Sequence, residues 1–171
     1  MNSLKLTITP LSEDHAPLLS ALFKQIGWDK PVSLFTQYLT EQDEGIRNAF
    51  VGKINNELVG YSTILWQSEH LYFNQRNIPE IKDLNILPQY RQQGFGKALL
   101  EYAEHQISLR SPLAGIGVGI TLDYGAAQIL YTKMGYVPNG EGATHHEQSL
   151  KYGENVKIDD DTVLWLIKKV K

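Results

Sequence analysis

Residues 80–109 read EIKDLNILPQYRQQGFGKALLEYAEHQISL, and this order of residues restricts the fold more than any other stretch. Ile81, Leu84, Ile86 and Leu87 predict a buried strand. Pro88 ends it, because proline holds its predecessor extended and offers no N–H to a ladder. Beyond Gly94 and Gly96, apolar residues return at Phe95, Leu99, Tyr102, Ala103 and Ile107, the spacing of one helix face. A strand that feeds a helix through a glycine-bearing turn aims several backbone N–H groups at one point. The positive end of the helix dipole lies behind them. Such a cradle suits an anion, most often a phosphate.

Two familiar phosphate motifs fail on named residues. A Walker A loop needs glycine where Arg91 stands and a hydroxyl where Ala98 stands, so Gly96-Lys97 is not its tail. A dinucleotide fingerprint needs a third glycine where the chain has Leu99. Composition removes further classes. With 16 basic and 19 acidic residues in 171, and no long basic run, a generic nucleic-acid surface is disfavoured. The absence of cysteine excludes disulfides, cysteine-ligated zinc and an acyl-cysteine intermediate. The N-terminus lacks the pattern of a signal peptide, and the longest apolar run, residues 112–122, is too short and glycine-rich to span a bilayer. These features predict a soluble, cytoplasmic protein of one domain, residues 1–171.

Taken in order, residues 4–9 alternate as a half-exposed strand closed by Pro10. Ser12-Glu13-Asp14 opens a helix carrying Leu18, Leu19, Leu22, Phe23 and Ile26, up to Gly27. A second short helix is expected within residues 28–43. Residues 49–54 and 58–66 flank Asn55-Asn56-Glu57 and predict a hairpin. Residues 68–79 show no period and read as a loop. After the central unit, residues 113–121 form a glycine-interrupted strand in which a ligand or another backbone can come close. Asp123 caps a helix with Ala127, Leu130, Tyr131 and Met134 on one face, ended by Gly135. Tyr136-Val137 extends, Pro138-Asn139-Gly140 turns, a polar stretch runs to Asp161, and residues 162–170 close the fold as a strand. The order predicts an α+β, or mixed α/β, domain with helices packed on one sheet.

Arg91-Gln92-Gln93-Gly94-Phe95-Gly96 resembles the Q/R-x-x-G-x-G/A pattern of the GNAT acetyltransferase superfamily. The later run YGAAQILYTKMGYV resembles that family's Asn-x-x-Ala-x-x-x-Tyr helix followed by Gly-Phe or Gly-Tyr. Ala127, Tyr131, Gly135 and Tyr136 fit, and Tyr124 stands where asparagine is common. The resemblance covers residues 4–169. It implies a mostly antiparallel sheet splayed at a cofactor cleft, with helices on both faces, and acetyl-CoA as cosubstrate. Backbone groups of Leu84 and Ile86 would then hold the acetyl and pantetheine portions. The pyrophosphate would sit on N–H groups of the Arg91, Gln92, Gln93, Gly94, Phe95, Gly96 and Lys97 segment. Tyr131, which on spacing alone is a core position, matches the residue that protonates the leaving thiolate in many members. Glu80 matches a glutamate base, and Asp83 is its rival on the same strand.

The implied reaction moves an acetyl group to a primary amine of a small molecule, peptide or protein by direct attack in a ternary complex, the enzyme acting as monomer or homodimer. The alternative is a non-catalytic acyl-CoA-binding module. No metal is implied: His145-His146-Glu147 lacks the second histidine of a zinc motif and reads as a solvated loop. Asp159-Asp160-Asp161 reads as a charged turn or as an attractor of a cationic amine. Trp66, Tyr72 and Phe73 either line a substrate pocket or seal a sheet edge.

Overall fold

The computed structural model describes residues 5–171, so Leu4 of the first expected strand lies outside the described residues. The backbone gathers into two compact units, residues 5–66 with 82–103 and residues 67–81 with 104–171. The sequence leads into the first unit with β1 (Thr7–Pro10), α1 (His15–Gln25) and α2 (Val32–Asp43). The hairpin β2 (Arg47–Ile54) and β3 (Glu57–Leu65) follows, and the greater part of β4 (Glu80–Ile86) and the start of α4 (Phe95–Ser108) complete the unit.

In this unit the strands lie in the order β1-β2-β3-β4, with β1/β2 and β2/β3 antiparallel. Asn55 and Asn56 join the hairpin with φ of 49° and 68°. Positive φ at both central residues matches the twist of the flanking strands, and asparagine tolerates it best among residues with a side chain. β3 is buried at every position except Glu57, as expected of a strand covered on both faces. Ala16, Leu19 and Phe23 of α1 and Phe35 and Tyr38 of α2 pack on Ala49, Val51 and Tyr61. Leu18 stays exposed, so the buried stripe of α1 is narrower than its leucines suggest.

The second unit contains the first residues of β4, the end of α4, α3 (Leu71–Gln75), β5 (Leu113–Gly119) and α5 (Gly125–Lys133). It also contains β6 (Val137–His145), β7 (Gln148–Ser149) and β8 (Thr162–Lys169), and its strand order is β4-β5-β8-β6-β7. Glu80↔Gly115 and Ile81↔Ile116 pair β4 with β5 in parallel, whereas β5/β8, β6/β8 and β6/β7 are antiparallel. The alternating glycines of β5 serve side chains of this unit. A Cβ at Gly115 would overlap the Phe73 ring, one at Gly117 would meet Val163 and Trp165, and one at Gly119 would overlap Tyr124. Gly135, at φ 91°, ends the α5 turn as expected.

The fold is mixed α+β with a mostly antiparallel set of strands. Three local expectations change. Asp123 does not cap α5: it lies inside a short 3-10 turn, Leu122–Tyr124, and Tyr124 directly precedes the helix with no side-chain cap. Residues 68–79 contain the five-residue α3, too short to show a helical period, and the polar stretch after Val137 contains β6 and β7. Pro138-Asn139-Gly140 does not end that strand but falls in a register shift between Pro138 and Ala143. Among the described residues no helix is long and apolar enough to cross a membrane.

Two glycines give opposite forecasts. A Cβ at Gly60 would overlap the Asn85 carbonyl and crowd Ile86 where β3 passes β4, so Gly60→Ala should destabilise by about 1–3 kcal/mol. Gly125 has φ −55° and ψ −42°, with open space around it. Gly125→Ala should therefore stabilise by about 0.4–1 kcal/mol. Urea unfolding of both variants checks the pair, and equal effects would contradict the packing described.

Candidate active site

The chain turns into α4 through left-handed residues, Gln92 at φ 58° and Gly94 at φ 87°. The Ala98 N–H donates to the Gly94 carbonyl at 3.0 Å, so the first helical bond closes on Gly94. The N–H groups of Phe95, Gly96 and Lys97 come before it, where helix donors have no carbonyl to reach. A Cβ placed on Gly94 meets no atom within 4 Å, so the turn opens onto space. Phe95 is buried with Ile54 and Val59 and pins the first helical turn. The Arg91 Nε donates to the Ile86 carbonyl at 3.1 Å, and its guanidinium lies 5.4 Å from the Trp28 ring. The turn is thereby tied to the end of β4. Gln93 donates to the Gln89 carbonyl at 3.1 Å, and exposed Lys97 lies 3.6 Å from Glu101.

Asp83 breaks the regular alternation expected of β4. Its φ is 61°, a conformation costly for a residue with a side chain. The turn directs its carboxylate into a set of donors: Lys30 Nζ at 2.6 Å and Asn85 Nδ2 at 2.7 Å from Oδ1, Tyr38 OH at 2.8 Å and Tyr61 OH at 2.5 Å from Oδ2. Burial alone would raise the Asp83 carboxyl, but the Lys30 charge and the bonds from Lys30, Tyr61 and Tyr38 hold it below the usual carboxylate range. Burial, followed by the same anion, pushes the Tyr38 and Tyr61 phenols well above theirs, so both remain protonated donors. Arg47 supports the group from behind. It donates to Glu41 and, at 2.7 Å, to Thr63 Oγ1, and its guanidinium lies 4.4 Å from the Tyr38 ring. Thr63 in turn donates to the Lys82 carbonyl of β4 at 3.0 Å.

The first unit thus brings together Asp83, Leu84, Ile86 and the 91–97 turn, whereas Glu80 and Tyr131 belong to the second. Glu80 is 3% exposed and accepts a 2.6 Å hydrogen bond from Ser68 Oγ, which also accepts the His70 N–H at 3.0 Å. It is therefore no water-facing charge at a strand end. Tyr131 is buried on α5, its ring 6.1 Å from that of Tyr136. Tyr124 lays its ring over Gly119 and donates to Asp160 at 2.8 Å, and Gln128 donates to the Gly119 carbonyl at 2.9 Å.

Sequence reasoning missed two constellations. One is Lys30, Tyr38 and Tyr61 around Asp83. The other is His70, stacked on Trp165 at 3.9 Å with Nδ1 2.9 Å from Glu147 Oε2. The His70 Nε2 is buried with no hydrogen-bond partner among the described residues. The partners in both sets lie far apart in sequence, from 22 residues for Tyr61 and Asp83 to 77 for His70 and Glu147 and further for His70 and Trp165, and no local period signals them. His145 and His146 pair with Asp159 and Asp161, each at 3.3 Å, and no described group of three such side chains could hold a metal ion. Phe73 is core. Tyr72 lies under Arg76, and Trp66 donates to Asn48.

Residues 45–138, more than half of the chain, match the family model described as an acetyltransferase (GNAT) domain. The chain belongs to the GNAT acetyltransferase family. Solved structures repeat its fold at low identity. A GNAT acetyltransferase from Desulfovibrio desulfuricans has a TM-score of 0.72 and 14% identity over 98% of this chain and 100% of that one. A chimera of spermidine N-acetyltransferase from Vibrio cholerae and hSSAT gives 0.71 and 17% over 98% and 96%. A GNAT acetyltransferase from Elizabethkingia anophelis with acetyl-CoA bound gives 0.64 and 20% over 96% and 97%. No curated protein matches the sequence.

The lowered Asp83 carboxyl makes stability depend on pH in a defined sense. A depressed folded-state pKa contributes stability that is complete above the unfolded value, about 3.9, and is lost as pH falls through the folded value. At pH 7, Asp83→Asn should cost about 2–4 kcal/mol, toward the lower end for a broken buried pair because Lys30 keeps some solvent contact. Below about pH 4 the gap should narrow, since acid removes from the wild type what the substitution already removed. Urea unfolding at pH 7 and pH 3 measures this, and equal stability at pH 7 would contradict it.

Proposed function

We propose that this GNAT protein transfers an acetyl group from acetyl-CoA to a primary amine of a small molecule, peptide or protein, by direct attack within a ternary complex. The observation that carries the proposal is the open, glycine-turned start of α4 directly after β4. Its residues fit a diphosphate. The N–H groups of Gln92, Gln93, Gly94, Phe95, Gly96 and Lys97 surround the turn, the dipole of a 14-residue helix favours negative charge there, and Gly94 leaves the space clear. Acetyl-CoA supplies the activated acyl thioester. Backbone groups of Leu84 and Ile86 are assigned to hold its acetyl and pantetheine portions, with Arg91 fixing the strand end through the Ile86 carbonyl.

The amine must shed a proton to attack. Glu80 is assigned that role, through water, with Asp83 as the alternative. The ion pair with Lys30 favours Glu80, because a carboxylate held strongly ionised is a weak base. Ser68 fixes the Glu80 carboxylate. Tyr131 is assigned to protonate the departing thiolate, and no cysteine is available for an acyl-enzyme route.

Release of free CoA thiol from acetyl-CoA across a panel of amines tests this reading, alongside calorimetry of acetyl-CoA binding. Ligand at a hundred times its dissociation constant should add about 2.7 kcal/mol of stability. Gly94→Val, strained at φ 87°, should lose binding. Tyr131→Phe keeps the ring and should lower turnover about 10²-fold or more with little change in affinity. Glu80→Gln should lower kcat/KM most near neutral pH and recover in part at high pH, where the amine is neutral unaided. Binding without turnover for any amine would identify an acyl-CoA-binding module instead, and absence of binding would end the reading.

A further inference from the structure

We infer that Asp83, Tyr38, Tyr61 and Asn85 form a binding site for a primary alkylammonium, in which the Lys30 side chain is the occupant supplied by the chain and which a cationic amine enters by displacing it. That this amine is the acetyl acceptor rests on the function proposed above; the ammonium site itself does not.

The chain has already placed a primary alkylammonium here. Lys30 Nζ lies 2.6 Å from Asp83 Oδ1 and 5.6 Å from the centroid of the Tyr61 ring. A carboxylate beside an aromatic face is the pairing a small cation prefers, combining a charge-assisted hydrogen bond with cation–π attraction. The lysine side chain is, in effect, n-butylammonium, so the space it fills accepts an unbranched alkyl chain ending in a primary ammonium.

An ion pair built only to hold α1 and α2 to the strands would not need the rest of the arrangement. Without Lys30, Asp83 keeps three neutral donors: Tyr38 OH at 2.8 Å, Tyr61 OH at 2.5 Å and Asn85 Nδ2 at 2.7 Å. These hold the anion in place and hydrogen-bonded when the cation is absent, which is preorganisation for a cation. Arg47 and Thr63 brace Tyr38 and β4 from the other side, so the walls do not depend on Lys30 either.

Lys30 is the part able to leave. It lies in the connection 26–31 between α1 and α2, its side chain is 20% exposed, and neighbouring Asp29 and Pro31 are exposed. Exchange returns its rotamer freedom, a term that favours departure of a long side chain. The site should discriminate by chemistry. A primary ammonium donates to Oδ1, a quaternary ammonium has no proton to donate, and butanol brings no charge.

The test needs no acetyl-CoA, so it fails or succeeds independently of the acetyl-transfer reading. Thermal unfolding of Lys30→Ala is followed with n-butylammonium, tetramethylammonium and butanol. At ten times its dissociation constant, n-butylammonium should raise the folded-to-unfolded ratio of Lys30→Ala about elevenfold. The two controls should not, and the double variant Lys30→Ala/Asp83→Asn should lose the effect. Rescue by tetramethylammonium to the same extent, or rescue that survives the loss of Asp83, overturns the proposal, as does no saturable rescue. If Lys30→Ala does not fold, the Lys30 ¹³Cε resonance of the wild type, assigned with Lys30→Arg, decides. It should move saturably as n-butylammonium is added and reach the position of a solvated lysine. An unmoved resonance overturns the proposal.

Discussion

Asp83 sits in the left-handed region of backbone space inside an extended strand, and much of the first unit is arranged around the carboxylate this conformation directs inward. The conformation costs on the order of 1–2 kcal/mol for a residue with a side chain. Removing a carboxylate from water costs more, unless every lone pair finds a donor. The chain meets both costs with donors from four places: the connection after α1, the buried face of α2, β3, and β4 itself. Those donors fix how the two helices meet the strands. They also hold the strand that leads into the turn before α4.

The second unit follows a different rule, in which absent side chains make room for large ones. Gly115, Gly117 and Gly119 give β5 a flat face on which Phe73, Trp165 and Tyr124 lie. Trp165 then supports the His70 ring and donates its Nε1 to Thr144 Oγ1 at 2.8 Å, joining β8 to β6. Tyr124 stands where the motif that the sequence resembles has asparagine. Here it covers β5 and holds Asp160, so the acidic turn of residues 159–161 is tied to the fold through a phenol. Each aromatic that replaces open space at a glycine also limits what else that face can hold.

The parts legible in sequence were those whose cause is local. Asn55-Asn56 announced a hairpin because few residues accept positive φ twice in succession. The turn into α4 was legible because its glycine and its helix are contiguous. Asp83 could not be read in this way. Alternation along β4 gave no hint of a left-handed residue, since aspartate tolerates that region without advertising it. Its partners Lys30, Tyr38 and Tyr61 appear in sequence as a loop cation and two core aromatics. Glu80 showed in sequence only as a carboxylate at the start of a strand, and only the fold shows it buried against Ser68. The helix α3 and the strand β6 escaped notice for a simpler reason: five residues cannot display a helical period, and a register shift hides a strand's alternation.

We propose that β4 and the turn after it carry two ligand-ready groups, an anion cradle at residues 92–97 and an ammonium-binding carboxylate at Asp83. A crystal structure of the protein with coenzyme A and n-butylamine tests it most directly. The diphosphate should lie on the backbone N–H groups of the cradle, and the amine nitrogen within hydrogen-bond distance of Asp83 with Lys30 withdrawn. A diphosphate bound away from α4, or a bound amine elsewhere with Lys30 still on Asp83, would contradict it.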